Sequence, residues 1–140
     1  MDRDSTLADI EYQVAVFIRR ATLGARDTGD LDRSAYLFLN HLYDNGPMGV
    51  KDVAQEFHLD ISTISRQAAS LQQKGYVRRL SDSKDRRACR LVITEAGLKK
   101  LQDQRQKRRD LYQALLSGWS DHDTDVFRDL LTRLNQTFLD

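Results

Sequence analysis

The chain has 140 residues, of which 40% are hydrophobic and 31% are charged. This length and composition fit one folded domain with a buried core and exclude an intrinsically disordered protein. The longest uninterrupted apolar run, Val14 to Ile18, is far too short to cross a membrane. The N-terminus is acidic where a signal peptide would be basic, so we expect a cytoplasmic protein.

The net charge of +1 conceals an uneven distribution along the chain. Residues 51–100 carry 11 basic and 6 acidic side chains, and within residues 61–94 the ratio rises to 8 against 2. A local concentration of positive charge indicates a surface that binds a polyanion such as DNA. A basic but merely solvated surface explains the charge alone equally well.

The spacing of apolar residues predicts helices in the first part of the chain. Leu7, Ile10 and Val14 begin a helical pattern that continues to about Leu23. A second helix is expected to begin at Asp32, whose side chain is well suited to an N-cap, and to end at Gly46. Glycine readily takes the left-handed conformation that ends many helices.

Two further short helices, residues 50–57 and about 61–73, are separated by a tight turn and form a helix-turn-helix candidate. Asp60 is the expected N-cap of the second of these helices. One narrow apolar stripe on this helix contains Ile61, Ile64, Ala68 and Leu71. The opposite face is small and polar, with Thr63 and Ser70 at its edges and with Ser62, Arg66, Ala69 and Gln73 at its centre. Such side chains can bond bases and phosphates, although a plain amphipathic helix remains an alternative for this segment alone.

Beyond Gly75 the apolar period changes to two, which predicts two strands, YVRRL and CRLVIT, joined by a long hairpin. An arginine-rich hairpin tip is often only a soluble turn. Directly after a helix-turn-helix, it indicates a DNA-binding wing whose arginines can enter a minor groove. Asp85 stands two residues before Arg87, a spacing that allows the carboxylate to hold the guanidinium extended.

Two helices are predicted to close the chain, the first with Thr94 as its N-cap. The last helix has a broad apolar sector, formed by Val126, Phe127, Leu130, Leu131, Leu134 and Phe138. The first helix of the chain has an apolar face of similar width. These faces can pack within one monomer, but a twofold dimer interface buries both at once.

We therefore expect a mainly α (α+β) fold in a single domain spanning residues 1–140. In this prediction residues 32–101 form a winged helix-turn-helix with a two-stranded wing. Residues 1–30 and 102–140 form N- and C-terminal dimerisation helices.

This order of elements and two of the motifs resemble the multiple-antibiotic-resistance-regulator (MarR) family of winged-helix repressors over nearly the whole chain. DSKDRRACRLVITEAG is similar to the family's wing signature, Asp-Arg-Arg-Ala, then a short apolar strand, then Thr-x-x-Gly. STISRQAASLQQKGYVRR resembles the family's recognition helix and the strand that follows it. The resemblance implies a homodimer that binds a pseudo-palindromic operator in double-stranded DNA and acts as a ligand-responsive repressor.

The resemblance also assigns roles to individual residues. Arg87 would be the minor-groove arginine, Asp85 its supporting carboxylate, and Arg86 a phosphate contact. Arg66 would be the base reader among the residues of the recognition helix that face the major groove, which are Ser62, Thr63, Ser65 and Arg66. A small aromatic or phenolic effector is implied as well, with candidate contacts at Tyr12, Phe17, Tyr36, Phe38 and Tyr43.

The sequence contains no motif for an enzyme, a metal or a cofactor. The three histidines are far apart, and we find no glycine-rich phosphate loop and no triad arrangement. Cys89, the sole cysteine, is interpreted as a half-buried strand residue rather than as a reactive thiol. The alternative function is that of a nucleoid-structural or protein-interaction module without sequence-specific regulation.

Overall fold

The computed structural model describes residues 2–23, 30–81 and 89–138. The elements within these residues, in chain order, are α1 (Arg3–Leu23), α2 (Arg33–Asn45), β1 (Met48–Gly49), α3 (Val50–Phe57), α4 (Ile61–Gln73), β2 (Val77–Ser81), β3 (Cys89–Ile93), α5 (Glu95–Leu115) and α6 (Asp121–Thr137). The chain divides into two compact units, of which the first ends at Leu101 and the second begins at Gln102. None of the described helices has both the length and the apolar character that a membrane crossing requires.

The strands form one antiparallel sheet in the order β1-β3-β2. Residues from Val77 to Ser81 pair with residues from Ile93 to Cys89, which are the two strands predicted for the wing. The sheet has a third strand that we did not predict, because Met48 and Gly49 pair with Leu91 and Arg90. Two extended residues are too few to show a period in the sequence, so only their partner strand reveals them.

The core of the first unit lies between α2, α3, α4 and the sheet. Its fully buried side chains include Phe38, Leu39, Val53, Ile64 and Leu91. Each large apolar side chain of this kind contributes about 1.5–3 kcal/mol relative to an exposed position. The first unit therefore has a continuous core that gives α4 a fixed support.

The predicted apolar stripe of α4 is correct except at its first residue. Ile64, Ala68 and Leu71 are buried, but Ile61 is 51% exposed. Ile61 points in nearly the same direction around the helix axis as the buried Ala68, but it is the first residue of the helix and lies two turns away, at the end of the stripe.

Both ends of α2 show the predicted boundary residues. Oδ1 of Asp32 accepts a hydrogen bond from the N–H of Ala35 at 2.7 Å, which confirms the N-cap. Gly46 ends the helix with φ 77 and ψ −165. This ψ lies outside the left-handed helical region that we expected, but the positive φ still favours glycine.

The Thr-x-x-Gly motif joins the start of α5 to the segment between α4 and β2. Oγ1 of Thr94 accepts from the N–H of Gly97 at 3.0 Å, which confirms Thr94 as the N-cap. The N–H of Thr94 in turn donates to the carbonyl of Tyr76 at 3.0 Å. A β-carbon on Gly97 would lie 2.1 Å from that same carbonyl oxygen. Glycine is therefore required at position 97 for α5 to begin this close to Tyr76.

Candidate nucleic-acid interface

The turn between α3 and α4 consists of His58, Leu59 and Asp60. His58 ends α3 in the left-handed conformation, with φ 54 and ψ 41. The N–H of Leu59 bonds back to the carbonyl of Ala54 at 3.0 Å, so the chain leaves α3 abruptly. Because Ala54 on α3 and Ile64 on α4 belong to one core cluster, the two helices are held as the predicted helix-turn-helix.

The outward face of α4 is polar, as its periodicity predicted. Ser62 and Arg66 are exposed, together with Ala69 and Gln73. Thr63 and Ser65 are half-buried and stand at opposite edges of this face. The structure therefore presents Ser62 and Arg66 at the centre of the candidate surface, with the other two predicted contacts on either side of them.

Asp60 connects the polar side chains at the start of α4. Its Oδ2 accepts a hydrogen bond from the Ser62 hydroxyl at 2.5 Å, and its Oδ1 accepts one from the Thr63 hydroxyl. Nη2 of Arg66 donates to Oγ1 of Thr63 at 3.4 Å. Ser62, Thr63 and Arg66 thus form one hydrogen-bonded group with Asp60, and Ser65 lies outside it.

Asp60 occupies the predicted N-cap position, but its carboxylate makes no hydrogen bond to the helix backbone. The two hydroxyl groups take the place of the backbone donors. Hydrogen bonds from Ser62 and then Thr63 hold the pKa of Asp60 below its ordinary value. The side chain is therefore ionised at neutral pH.

Arg79 on β2 is a candidate contact that the sequence pattern did not reveal. Its Nε donates to Oε1 of Gln72 on α4 at 3.1 Å, and its Nη1 lies 4.0 Å from Sγ of Cys89. Arg79 pairs with the buried Leu91 across the sheet, which places both side chains on the same face. A guanidinium is thus held beside the C-terminal part of the recognition helix, and its position depends on a strand register that composition does not predict.

The three predicted wing residues, Asp85, Arg86 and Arg87, lie outside the described residues. Their roles stay predictions. The strands on either side are described, and they pair as far as Ser81 and Cys89. Cys89 is half-buried in β3, as we expected.

The aromatic residues predicted to contact an effector are not all available to a ligand. Phe38 is fully buried and meets the ring of Phe57 edge to face at 6.4 Å between ring centroids. Tyr36 packs partly buried against the same core, whereas Tyr12, Phe17 and Tyr43 are exposed. Phe38 is therefore a core residue, and the effector itself stays a prediction.

The terminal helices leave broad apolar faces exposed. On α1, five large apolar side chains are 43–53% exposed, namely Leu7, Ile10, Val14, Phe17 and Ile18. On α6, no described residue is buried, and the whole predicted apolar sector from Val126 to Phe138 is open. Within the second unit, α5 and α6 also border a cleft of 510 Å³ lined in part by Tyr112, Leu116 and Trp119.

Comparison with known proteins agrees with this geometry. The sequence model of the MarR family matches residues 31–89. The HTH-type transcriptional regulator YxaD of Bacillus subtilis (strain 168) is 41% identical to the chain over 143 residues, with 100% of both proteins covered. The chain belongs to the MarR family. It is a DNA-binding transcriptional regulator of the winged helix-turn-helix type, as the motifs predicted.

Solved structures show the same fold. A MarR family protein from Bacillus stearothermophilus superposes with a TM-score of 0.83 at 20% identity, covering 100% of each chain. FabT of Streptococcus pneumoniae, solved in complex with DNA, has a TM-score of 0.68 at 21% identity, covering 96% of this chain and 94% of FabT. The predicted mainly α winged helix-turn-helix architecture is confirmed.

Proposed function

We propose that this MarR family regulator is a homodimeric repressor of a pseudo-palindromic operator. Each α4 enters the major groove of one half-site, and each wing follows the adjacent minor groove. The observation that carries the proposal is the polar face of α4, where Ser62 and Arg66 are exposed while Ile64 and Ala68 are buried on the other side. A helix that is supported by a core and carries small polar side chains outward can approach base edges closely.

Arg66 is the proposed base reader. Its side chain is exposed, and its bond to Thr63 is long at 3.4 Å, so it can be exchanged for the O6 and N7 acceptors of a guanine. Ser62, Thr63 and Ser65 would contact bases or phosphates beside it. Arg79, held by Gln72, would contact a phosphate next to the helix.

The wing completes the proposed footprint. Arg87 would enter the minor groove, Asp85 would hold it extended, and Arg86 would contact phosphate. These roles rest on the match of this segment to the family's wing signature. The position of β2 and β3 directly after α4 in the chain supports them.

The exposed apolar faces of α1 and α6 support the homodimer. Isolated apolar residues on a surface are ordinary, but contiguous faces such as these mark an interface. Residues 1–30 and 102–140 would form this interface, and residues 32–101 the DNA-binding part. A twofold dimer places two recognition helices about 34–36 Å apart, which is one turn of DNA.

Selection of bound duplexes from a random pool tests the proposal. We expect a pseudo-palindrome with half-sites one helical turn apart, and Arg66→Ala should lose the preference at one base pair in each half-site. Binding without sequence preference would instead favour a nucleoid-structural protein, and no binding would favour a protein-interaction module.

A further inference from the structure

Asp60 is at the N-cap position of α4, but its side chain does not bond to the backbone of the helix. A capping side chain normally accepts a hydrogen bond from a backbone N–H in the first turn. Asp60 instead accepts from the hydroxyls of Ser62, at 2.5 Å, and Thr63. An ionised carboxylate has no hydrogen to donate, so the hydrogens of both hydroxyls must point toward Asp60.

This arrangement decides what the hydroxyls can offer to a ligand. A hydroxyl has one hydrogen and two lone pairs. The hydrogen of Ser62 is used by Asp60, so the exposed Oγ presents only lone pairs outward. The hydroxyl of Thr63 both donates to Asp60 and accepts from Nη2 of Arg66 at 3.4 Å. Ser62 is therefore the most accessible acceptor of the group, because Thr63 is half-buried whether or not Arg66 remains bonded to it.

We propose that Asp60 is a specificity-determining residue, because it fixes Ser62 as a hydrogen-bond acceptor and thereby selects a base that presents an amino group in the major groove. That group is N4 of cytosine or N6 of adenine. The inference rests on the proposed function, since it requires α4 to lie in the major groove. Without Asp60, the serine hydroxyl would rotate and donate equally well to O6 of guanine or O4 of thymine.

The lowered pKa of Asp60 supports this mechanism, because the carboxylate stays ionised under the conditions in which DNA binds. Arg66 adds to the effect through its charge, and Thr63 through its hydroxyl. Asp60 acts through Ser62, so it is a positioning residue and need not touch the base itself.

The experiment measures the affinity for duplexes that carry each of the four base pairs at every position of one half-site. The proteins compared are the wild type, Asp60→Asn, Asp60→Ala, Ser62→Ala and the double variant of Asp60→Asn with Ser62→Ala. Asparagine keeps the shape of Asp60 and is an equally good N-cap residue, so the helix is retained. Its amide has a single acceptor oxygen, so it can hold the hydrogen of Ser62 or that of Thr63 but not both.

At one position of the half-site we expect the wild type to prefer adenine or cytosine by about fivefold, the usual net contribution of one neutral hydrogen bond. Asp60→Asn should reduce this preference to about twofold or less, and so should Ser62→Ala. The double variant should lose no more than either single variant, because both changes act on the same contact.

Asp52→Asn is the matched control for charge. It removes an exposed carboxylate from the first turn of α3 and leaves the hydroxyl group of α4 untouched. A general gain in affinity from losing one negative charge should appear in both Asn variants, but the change of base preference only in Asp60→Asn.

Two results would overturn the inference and can be told apart. If the wild type is selective and both Asp60→Asn and Asp60→Ala, which removes both acceptor oxygens, keep the same base preference, Asp60 does not set specificity, and the proposed function stands. If the effects of Asp60→Asn and Ser62→Ala add up in the double variant, Asp60 contacts the base directly. A wild type that discriminates between no base pairs contradicts the proposed function as well.

Discussion

The hydroxyl of Thr94 donates a hydrogen bond to the carbonyl of Gly75, 2.6 Å away and 19 residues earlier in the chain. The residue before α5 is thereby bonded to the second residue after the recognition helix. The wing lies between these two positions in the sequence, so the same contact closes the base of the hairpin. The Thr-x-x-Gly part of the motif thus holds the structure that supports DNA contacts, while the arginines would make them.

Gly97→Ala should destabilise the protein. Its β-carbon would lie 2.1 Å from the carbonyl oxygen of Tyr76, and backbone on both sides must move to make room. Overpacking of this kind costs about 1–3 kcal/mol. Urea unfolding measures the effect, and Gly118→Ala is the control, because a β-carbon there meets nothing within 4 Å. Equal stability of the two variants would contradict the close approach.

Asp32→Ala should destabilise α2 by about 1 kcal/mol through the loss of an N-cap hydrogen bond. Asp60→Ala should have the smaller effect on the free energy of unfolding, since the Asp60 carboxylate makes no hydrogen bond to the helix backbone. Denaturant unfolding of both variants provides the comparison. A larger loss for Asp60→Ala would show that its hydrogen bonds to Ser62 and Thr63 stabilise α4 more than a backbone cap stabilises α2.

The carboxyl group of Asp60 should titrate below its ordinary pKa of 3.8, chiefly because Ser62 donates to the ionised form. Since the pKa is lowered in the folded protein, the stability from these hydrogen bonds is present above pH 3.8. It is lost as the pH falls through the lower folded value. Carbon NMR of the carboxyl group measures the midpoint. Ser62→Ala should raise the pKa, and an unchanged midpoint would show that the hydrogen bond is absent in solution.

Leu130→Glu should convert the proposed homodimer to monomer, because it places a charge in the exposed apolar sector of α6. Thr132→Glu is the matched control, since Thr132 lies on the opposite side of the same helix and is already exposed to water. Sedimentation velocity distinguishes the two species. A Leu130→Glu protein that sediments as the same dimer as the control would exclude this face as the interface.

Arg87→Ala and Arg86→Ala should have different effects on DNA binding. Loss of the proposed minor-groove arginine should weaken binding most on sites with A·T-rich flanks and reduce the preference for such flanks. Loss of the phosphate contact of Arg86 should weaken binding to every site alike. It should also reduce the slope of log affinity against log salt concentration by about two for the dimer, one for each lost contact. Affinities for a set of flanks at several salt concentrations test both. If Arg87→Ala changes neither flank preference nor affinity, the wing tip is only a solvated turn.

The sequence by itself was sufficient for the order of the helices, the paired strands of the wing and the outward face of α4. These features follow from local periodicity and from capping residues such as Asp32 and Thr94, whose partners lie within one helical turn. The family followed from the same local signals, because the wing signature and the recognition helix are contiguous motifs. Ser62 and Arg66 were predictable as exposed residues for this reason.

Only the tertiary structure decided the contacts between residues that are separated along the chain. The pairing of Met48 with Leu91, the bond from Arg79 to Gln72 and the burial of Phe38 depend on how the elements pack and on strand register. Periodicity specifies which face of an element is apolar, but not which neighbour will meet it. The hydrogen-bond partners of Asp60 could not be predicted from the sequence for a related reason. At an N-cap the backbone donors and nearby hydroxyls compete for one carboxylate, and their positions in the folded turn determine which of them bond to it.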